Sequence, residues 1–372
     1  MRGRRAGPRL HQAESMKSKK NTTGIMSGLR PYFHPRFPAP CNLKCFFCYE
    51  EPRAPVDPTR SLLLLEEELK IGKRLGYESV VFGCGELLLL DGWERAVKLA
   101  ARLGFTERIL LTNLTLINEE NIDTLVEAGI TGIAGTLAAT SDEEALRITG
   151  RPDVYSRQMR GISALASFPQ LGAGLHVMLT SEAKPDPSFR LKLLLEQIPT
   201  GSRHAIVSVI EPISQSTTEH PDFLAAHEVS WPELLEQADK QDKCLVVQNV
   251  PACLLGRYAH RSLAFRKRVA RTLTGWPDGE SLSRRVDENE VLYSRVPAEG
   301  HCRECSAISV CHRNFKYPRV GDPSGLDVER VVEALLLEEG VEGDPARIIS
   351  GLRRIAAKVA PGEGGCDEGD GS

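Results

Sequence analysis

The stretch RSLLLLEEELKIGKRLGYESVVFG, Arg60–Gly83, contains one complete unit of the fold. Residues 60–76 read as a helix running to Gly76, and SVVFG, residues 79–83, reads as a short apolar strand. Short apolar strands suit a sheet covered by helices on its face, because neither side of such a strand meets water. The unit recurs in both directions. Strands are expected at 29–35, 79–83, 108–113, 131–137, 174–180 and 204–212. Helices are expected at 60–76, 93–104, 119–129, 154–168, 186–198 and 230–240, the last with Ser230 at its N-cap. Six strand–helix repeats imply parallel strands joined by right-handed crossovers. The fold class is therefore α/β, a partial (β/α)6 barrel with a small carboxy-terminal Cys-rich extension. In such folds the chemistry sits at the carboxyl ends of the strands.

The rhythm divides the chain. Residues 1–27 are expected to be a disordered basic arm, since residues 1–20 hold seven Lys/Arg against Glu14 and no apolar core. Residues 28–243 form the barrel. Residues 244–320 hold a possible further strand (244–255), a basic stretch (257–273) and a cysteine cluster. Residues 321–360 hold two helices, near 326–339 and 345–358, and the Gly-rich acidic tail 361–372 is expected to be disordered. A net charge of −3 exerts no general pull on nucleic acid or anionic membranes, and no run approaches the roughly 18 apolar residues of a membrane span. Ten cysteines in a chain without a secretory signal read as metal ligands rather than disulfides.

Three of those cysteines fall in CNLKCFFCYE, Cys41–Glu50, spaced C-x3-C-x2-C. Structural zinc sites close with four ligands, and no fourth Cys or His follows nearby. A cubane gripped on three irons leaves its fourth iron open, and an open position implies reaction. Zinc remains the alternative from the cysteines alone.

CNLKCFFCY resembles the signature loop of radical S-adenosylmethionine (SAM) enzymes. The resemblance runs over about residues 28–215. VVFGCGELLLL (80–90) is similar to the family's Gly-Gly-Glu motif, with Leu87 in place of the usual proline. LLTNLTLIN (110–118) is similar to its Thr-Asn-Gly segment, with Leu114 where glycine is common. Residues 133–165 are similar to its fourth-strand segment, with Ala134 in place of Asp. These motifs fall at strand carboxyl ends, as the fold rule requires. The resemblance implies a [4Fe-4S] cluster on Cys41, Cys45 and Cys48, with SAM on the open iron. Phe47 would lie near the adenine, and Gly83, Cys84, Gly85, Glu86, Asn113 and Thr136 would be cofactor-binding. The implied chemistry is reductive cleavage of SAM to a 5′-deoxyadenosyl radical that abstracts hydrogen from a substrate, with an electron donor such as flavodoxin or ferredoxin.

GHCRECSAISVCHRNFKY (300–317) resembles the auxiliary-cluster motif of the SPASM and twitch extensions. It implies a second iron–sulfur cluster on Cys302, Cys305 and Cys311, with Cys253 as fourth ligand. A zinc site or plain buried cysteines are the other readings. Cys84 also reads as a small apolar residue, and Cys244 as a strand residue. His34, His176 and Glu211 lie on or at strand ends and read as structural or as substrate contacts. The basic stretch 257–271 reads as a solvated helix face. The resemblance favours a peptide or protein substrate, ahead of a small metabolite or RNA, and a cytoplasmic location. A degenerate, non-catalytic metal-binding barrel is the remaining reading.

Overall fold

The computed structural model of the chain describes residues 32–48, 57–168, 171–180, 186–197, 204–209, 228–248, 250–263, 265–266, 269 and 327–359. Six strands form one sheet: β1 Ser79–Phe82, β2 Glu107–Thr112, β3 Gly132–Leu137, β4 Gly172–Leu179, β5 His204–Val209 and β6 Cys244–Gln248. Their spatial order is their order in sequence, and every neighbouring pair is parallel. Each return therefore runs through helix: α1 Pro58–Arg74, α2 Trp93–Arg102, α3 Glu119–Ala128, α4 Asp142–Thr149, α5 Val154–Ala166, α6 Pro187–Glu196 and α7 Trp231–Lys240. A sheet that never reverses its strand order curls in one direction, which gives the partial barrel.

Alternation along each strand sorts the two faces. Val80, Phe82, Leu110, Ile133, Leu137, Leu175, Val177, Leu245 and Val247 join the large core shared with the helices. Val81, Ile109 and Ala134, with Tyr32 and Leu111, make a separate small cluster on the opposite, concave face. Thr136 lies two residues beyond Ala134 and pairs with His176, so both belong to that concave face.

One strand expectation changes. The described part of 29–35 contributes a single bridge, Phe33 to Val80, in which Phe33 N donates to Ser79 O and Val81 N to Phe33 O. Prolines at 31, 35, 38 and 40 remove donors on both sides, so no ladder can extend. The sixth strand is β6, within the stretch 244–255 where a further strand is expected. Helix α4 is an element that the periodicity did not announce. Its end signals are nonetheless present in the sequence: Ser141 caps Glu144 N, acids fill the first turn, and Gly150 ends the helix at φ +71°. Ser230 stands at the N-cap of α7 but makes no capping bond through its side chain.

Past β6 the chain forms a short helix α8, Ala252–Leu255, and a 3-10 segment, Gly256–Arg261. Helices α9, Val328–Glu339, and α10, Pro345–Val359, follow later. Val331, Val332, Leu335, Leu336, Ile348 and Leu352 pack there with Ala259, Phe265 and Val269. The basic stretch is a solvated face only in part: Arg257 is exposed, whereas His260, Arg261 and Arg266 are buried. Arg266 is fully buried and pairs with Glu338 (2.8 Å) and Glu339 (2.6 Å), while Arg261 pairs with Asp239 (2.9 Å) and Glu338 (2.8 Å). His260 Nε2 lies 3.0 Å from Glu338. Burial works against the Glu338 charge, but His260, Arg266 and Arg261 hold its carboxyl well below the usual range. These cations face inward because α9 brings two acids under them, and that pairing docks α9 against the amino end of β6.

Breaking a buried ion pair leaves the partner charge desolvated and costs more than the pair contributes. Arg266→Ala should therefore lower unfolding stability by roughly 3 kcal/mol. Urea denaturation of both proteins measures this, and a midpoint unchanged from wild type would contradict it.

Candidate functional site

The cysteine loop is held from behind by α4. Lys44 N donates to Thr149 O (2.9 Å) and Phe46 N to Ile148 O (3.1 Å), while Arg151 donates to Asn42 O (2.9 Å). Leu43 is buried against Ala138, Ala139, Ala145, Ile148 and Val154. Phe46 and Phe47 pack edge to face and join that cluster with Tyr155 and Met178. The seat itself is braced. Glu144 and Arg190 form a buried ion pair, Arg190 also donates to Ala138 O, and Glu144 accepts from Thr140 N and Oγ1. Neither residue stands out in the sequence, because their partners lie on different helices.

The loop leaves Cys41 and Cys48 exposed and Cys45 partly buried. Burial, and then the neighbouring Cys41 and Cys48, push the Cys45 thiol up to about 12. A metal centre bound here must therefore displace a proton from Cys45. Among the described residues no three His, Cys, Asp or Glu converge as ligands of one metal ion.

The loop meets the carboxyl end of β1 through backbone. Gly85 has φ +58°, and a Cβ there would lie 2.6 Å from Ala39 O and 2.7 Å from Pro40 O. The next residue, Glu86, donates its N–H to Pro40 O (2.8 Å). No side chain fits between these two segments, so Gly85 sets how closely the cysteine loop approaches the sheet. At Gly83 the neighbour is His34, whose Nε2 lies 2.5 Å from where a Cβ would stand. Cys84 is buried, and its thiol donates to Pro35 O (3.3 Å).

Glu86 is fully buried. Its Oε2 accepts from Thr112 Oγ1 (2.8 Å) and Asn113 N (2.9 Å), and its Oε1 is buried without a hydrogen bond. Burial raises its pKa to about 7, against the opposing pull of the Asn113 N–H, the Thr112 hydroxyl and the Leu88 N–H. Such burial is relieved either by a proton, which the raised pKa favours, or by a cationic partner.

Asn113 lies beside Glu86, with its side chain bonded to Asn42 and Thr115. Gln158 reaches from α5 to both Asn113 O (3.1 Å) and Thr136 O (3.0 Å), tying the ends of β2 and β3 together. Thr136 is otherwise part of the concave face. Leu114 adopts φ +66°, a left-handed backbone that costs a non-glycine residue about 1 kcal/mol. Its side chain is fully buried over Gly135, where a Cβ would lie 2.5 Å from Leu114 Cδ1.

The structure thus brings together Cys41, Cys45, Cys48, Phe47, Gly83, Cys84, Gly85, Glu86 and Asn113, with Thr136 on the neighbouring strand. Cys253 lies elsewhere, on α8, partly buried against the carboxy-terminal apolar cluster. Cys302, Cys305, Cys311 and Glu211 lie outside the described residues. Sequence reasoning does not single out Asn42, Thr112, Thr115 or Gln158. The segment Thr112–Asn113 is visible only as part of a motif, with no sign of its bonds.

Residues 39–182 match the family model of the Radical SAM superfamily. A curated relative, GTP 3′,8-cyclase of Chlorobaculum tepidum, is 27% identical over 141 residues, which are 37% of this chain and 42% of that protein. The match thus spans less than half the length of that relative. The structure of polyhistidine-tagged anSMEcpe with bound AdoMet is similar with a TM-score of 0.53 at 14% identity, over 88% of this chain and 96% of that one. Streptococcus suis SuiB bound to S-adenosylmethionine gives a TM-score of 0.41 at 15% identity, over 66% of this chain and 55% of that one. The likeness to anSMEcpe is one of fold.

The Glu86 carboxyl carries a proton up to about pH 7 in the folded chain, against an ordinary value of 4.5. Its favourable contribution is complete below pH 4.5 and is lost as pH rises to about 7, by on the order of 3 kcal/mol. Denaturant titrations of the metal-free protein across that window should show the decline, and Glu86→Gln should flatten it. An equal slope in both proteins would contradict the assignment.

Proposed function

We propose, from the match of residues 39–182 to the Radical SAM superfamily, that this protein is a radical SAM enzyme whose cofactor sits between the cysteine loop and the Gly83–Glu86 turn. The observation that carries this reading is the juxtaposition of three thiols on one loop with a buried carboxylate that has an unpaired oxygen. Cys41, Cys45 and Cys48 would hold a [4Fe-4S] cluster. When bound, cluster and SAM together supply a 5′-deoxyadenosyl radical for hydrogen abstraction.

The chain's own residues hold, orient and shield. Glu86 would lend its carboxylate charge to the ammonium of SAM, and a cation there would bring its raised pKa down again. Gly85 keeps the backbone near the ligand free of side-chain bulk. Phe47, packed with Phe46, walls the loop on its apolar side, where the adenine would rest. Gln158 keeps the ends of β2 and β3, and so Asn113 and Thr136, at fixed spacing. The concave face, with His176 and Thr136, is where the substrate enters.

The favoured substrate is a peptide. The structure of native anSMEcpe with bound AdoMet and Cp18Cys peptide, similar at a TM-score of 0.52 over 87% of this chain, supports it. The GTP 3′,8-cyclase relative supports the second reading, a small metabolite. Cys302, Cys305, Cys311 and Cys253 are proposed to hold a second iron–sulfur cluster, and flavodoxin or ferredoxin to supply electrons. No helix among the described residues is long and apolar enough to cross a membrane. Low-potential clusters suit a reducing, oxygen-poor compartment, so a cytoplasmic location is proposed.

Anaerobic reconstitution should give about eight iron and eight sulfide per chain, four per cubane. Cys45→Ala should lose about half of each and all formation of 5′-deoxyadenosine from SAM and dithionite. About four iron in the wild type would remove the second cluster. Zinc in the Cys41 loop, or loaded wild type that forms no 5′-deoxyadenosine with or without peptide, would overturn the enzymatic reading.

A further inference from the structure

Three side chains close a ring at the edge of the site. Asn113 Nδ2 donates to Asn42 Oδ1 (2.8 Å), Asn42 Nδ2 donates to Thr115 Oγ1 (2.8 Å), and Thr115 Oγ1 donates to Asn113 Oδ1 (2.6 Å). Every member donates once and accepts once, all in the same direction around the ring. Such rings polarise their own bonds and act as a unit, so opening one edge weakens the others. Thr115 N closes on Asn113 Oδ1 as well (3.0 Å).

The ring joins segments that have no reason of secondary structure to meet. Asn42 stands between Cys41 and Leu43 in the cysteine loop, 71 and 73 residues from its two partners beyond β2. Asn113 also donates its backbone N–H to the Glu86 carboxylate. Between Asn113 and Thr115 the chain takes the strained turn at Leu114, φ +66°, which holds the two ring members side by side. A strained backbone persists where its surroundings over-determine it, often beside a functional site. The cysteine loop is thus tied to the Glu86 carboxylate by two routes. One is the Pro40–Glu86 backbone bond, and the other runs through the ring.

We propose that Asn42, Asn113 and Thr115 are positioning residues that fix the spacing between the cysteine loop and the Glu86 carboxylate for SAM capture, an inference that rests on the radical SAM reading of this site. The backbone on both sides of Cys45 is anchored from the α4 side, by Lys44 N to Thr149 O and Phe46 N to Ile148 O, and does not need the ring for its place. Iron uptake is therefore independent of it, whereas the affinity for SAM is not.

The test uses the full chain, reconstituted anaerobically, with iron content measured first and SAM binding by equilibrium dialysis second. Asn42→Ala and Thr115→Val should each keep wild-type iron and bind SAM about tenfold more weakly. The double variant should be no worse than either single by more than about twofold, since one broken edge already opens the ring. Thr115→Ser keeps the hydroxyl and should bind as wild type does. Losses that multiply in the double variant, unchanged affinity, loss of iron in the single variants, or failure of Thr115→Ser to rescue would each overturn the proposal. Wild type that holds iron but binds no SAM would overturn the parent reading, and is told apart by needing no variant.

Discussion

The site depends on one close backbone contact. Ala39 and Pro40 lie against Gly85 and Glu86 with no room for a Cβ between them. One side of that contact leads in two steps to Cys41, and the other leads directly to the buried Glu86 carboxylate. The contact therefore couples the cysteine loop to the turn that follows β1. On its far side the same loop is pinned by the last carbonyls of α4, which helix termini leave without intrahelical partners. The Glu144–Arg190 pair locks the approach to α4. A loop without regular structure of its own thus gains a fixed position from three directions.

The two ends of the barrel divide the work. At the carboxyl end lie two exposed thiols, a fully buried carboxyl group and a left-handed leucine. At the amino end of β6, charges are gathered, buried and neutralised, with Arg261 and Arg266 set against Asp239, Glu338 and Glu339. Cys244 sits beside that network, and burial raises its thiol to about 11. Burial and opposing charge give the amino end of β6 a structural character.

Much of this is legible in the sequence, for reasons that also explain what is not. Short apolar runs locate the strands of the sheet, β6 among them within 244–255, because strands buried on both faces show little else. The run at 29–35 has a strand's apolar content, but its prolines outweigh that content. Helix α4 is easily missed although Ser141, Glu144 and Gly150 mark its two ends, since its apolar stripe is short. The basic residues at 261 and 266 look solvated in the sequence because Glu338 and Glu339 lie more than 70 residues away. The ring of Asn42, Asn113 and Thr115 is invisible for the same reason. Polar partners far apart in sequence leave no periodic trace.

The central claim is that the cysteine loop leaves one iron open and that SAM occupies it beside Glu86. The most direct test is pulsed electron–nuclear double resonance on the reduced, reconstituted protein with SAM labelled with nitrogen-15 at its amino group. A nitrogen-15 hyperfine coupling to the cluster, lost in Cys45→Ala, is the predicted result. A cluster signal that carries no such coupling at saturating SAM would contradict the account.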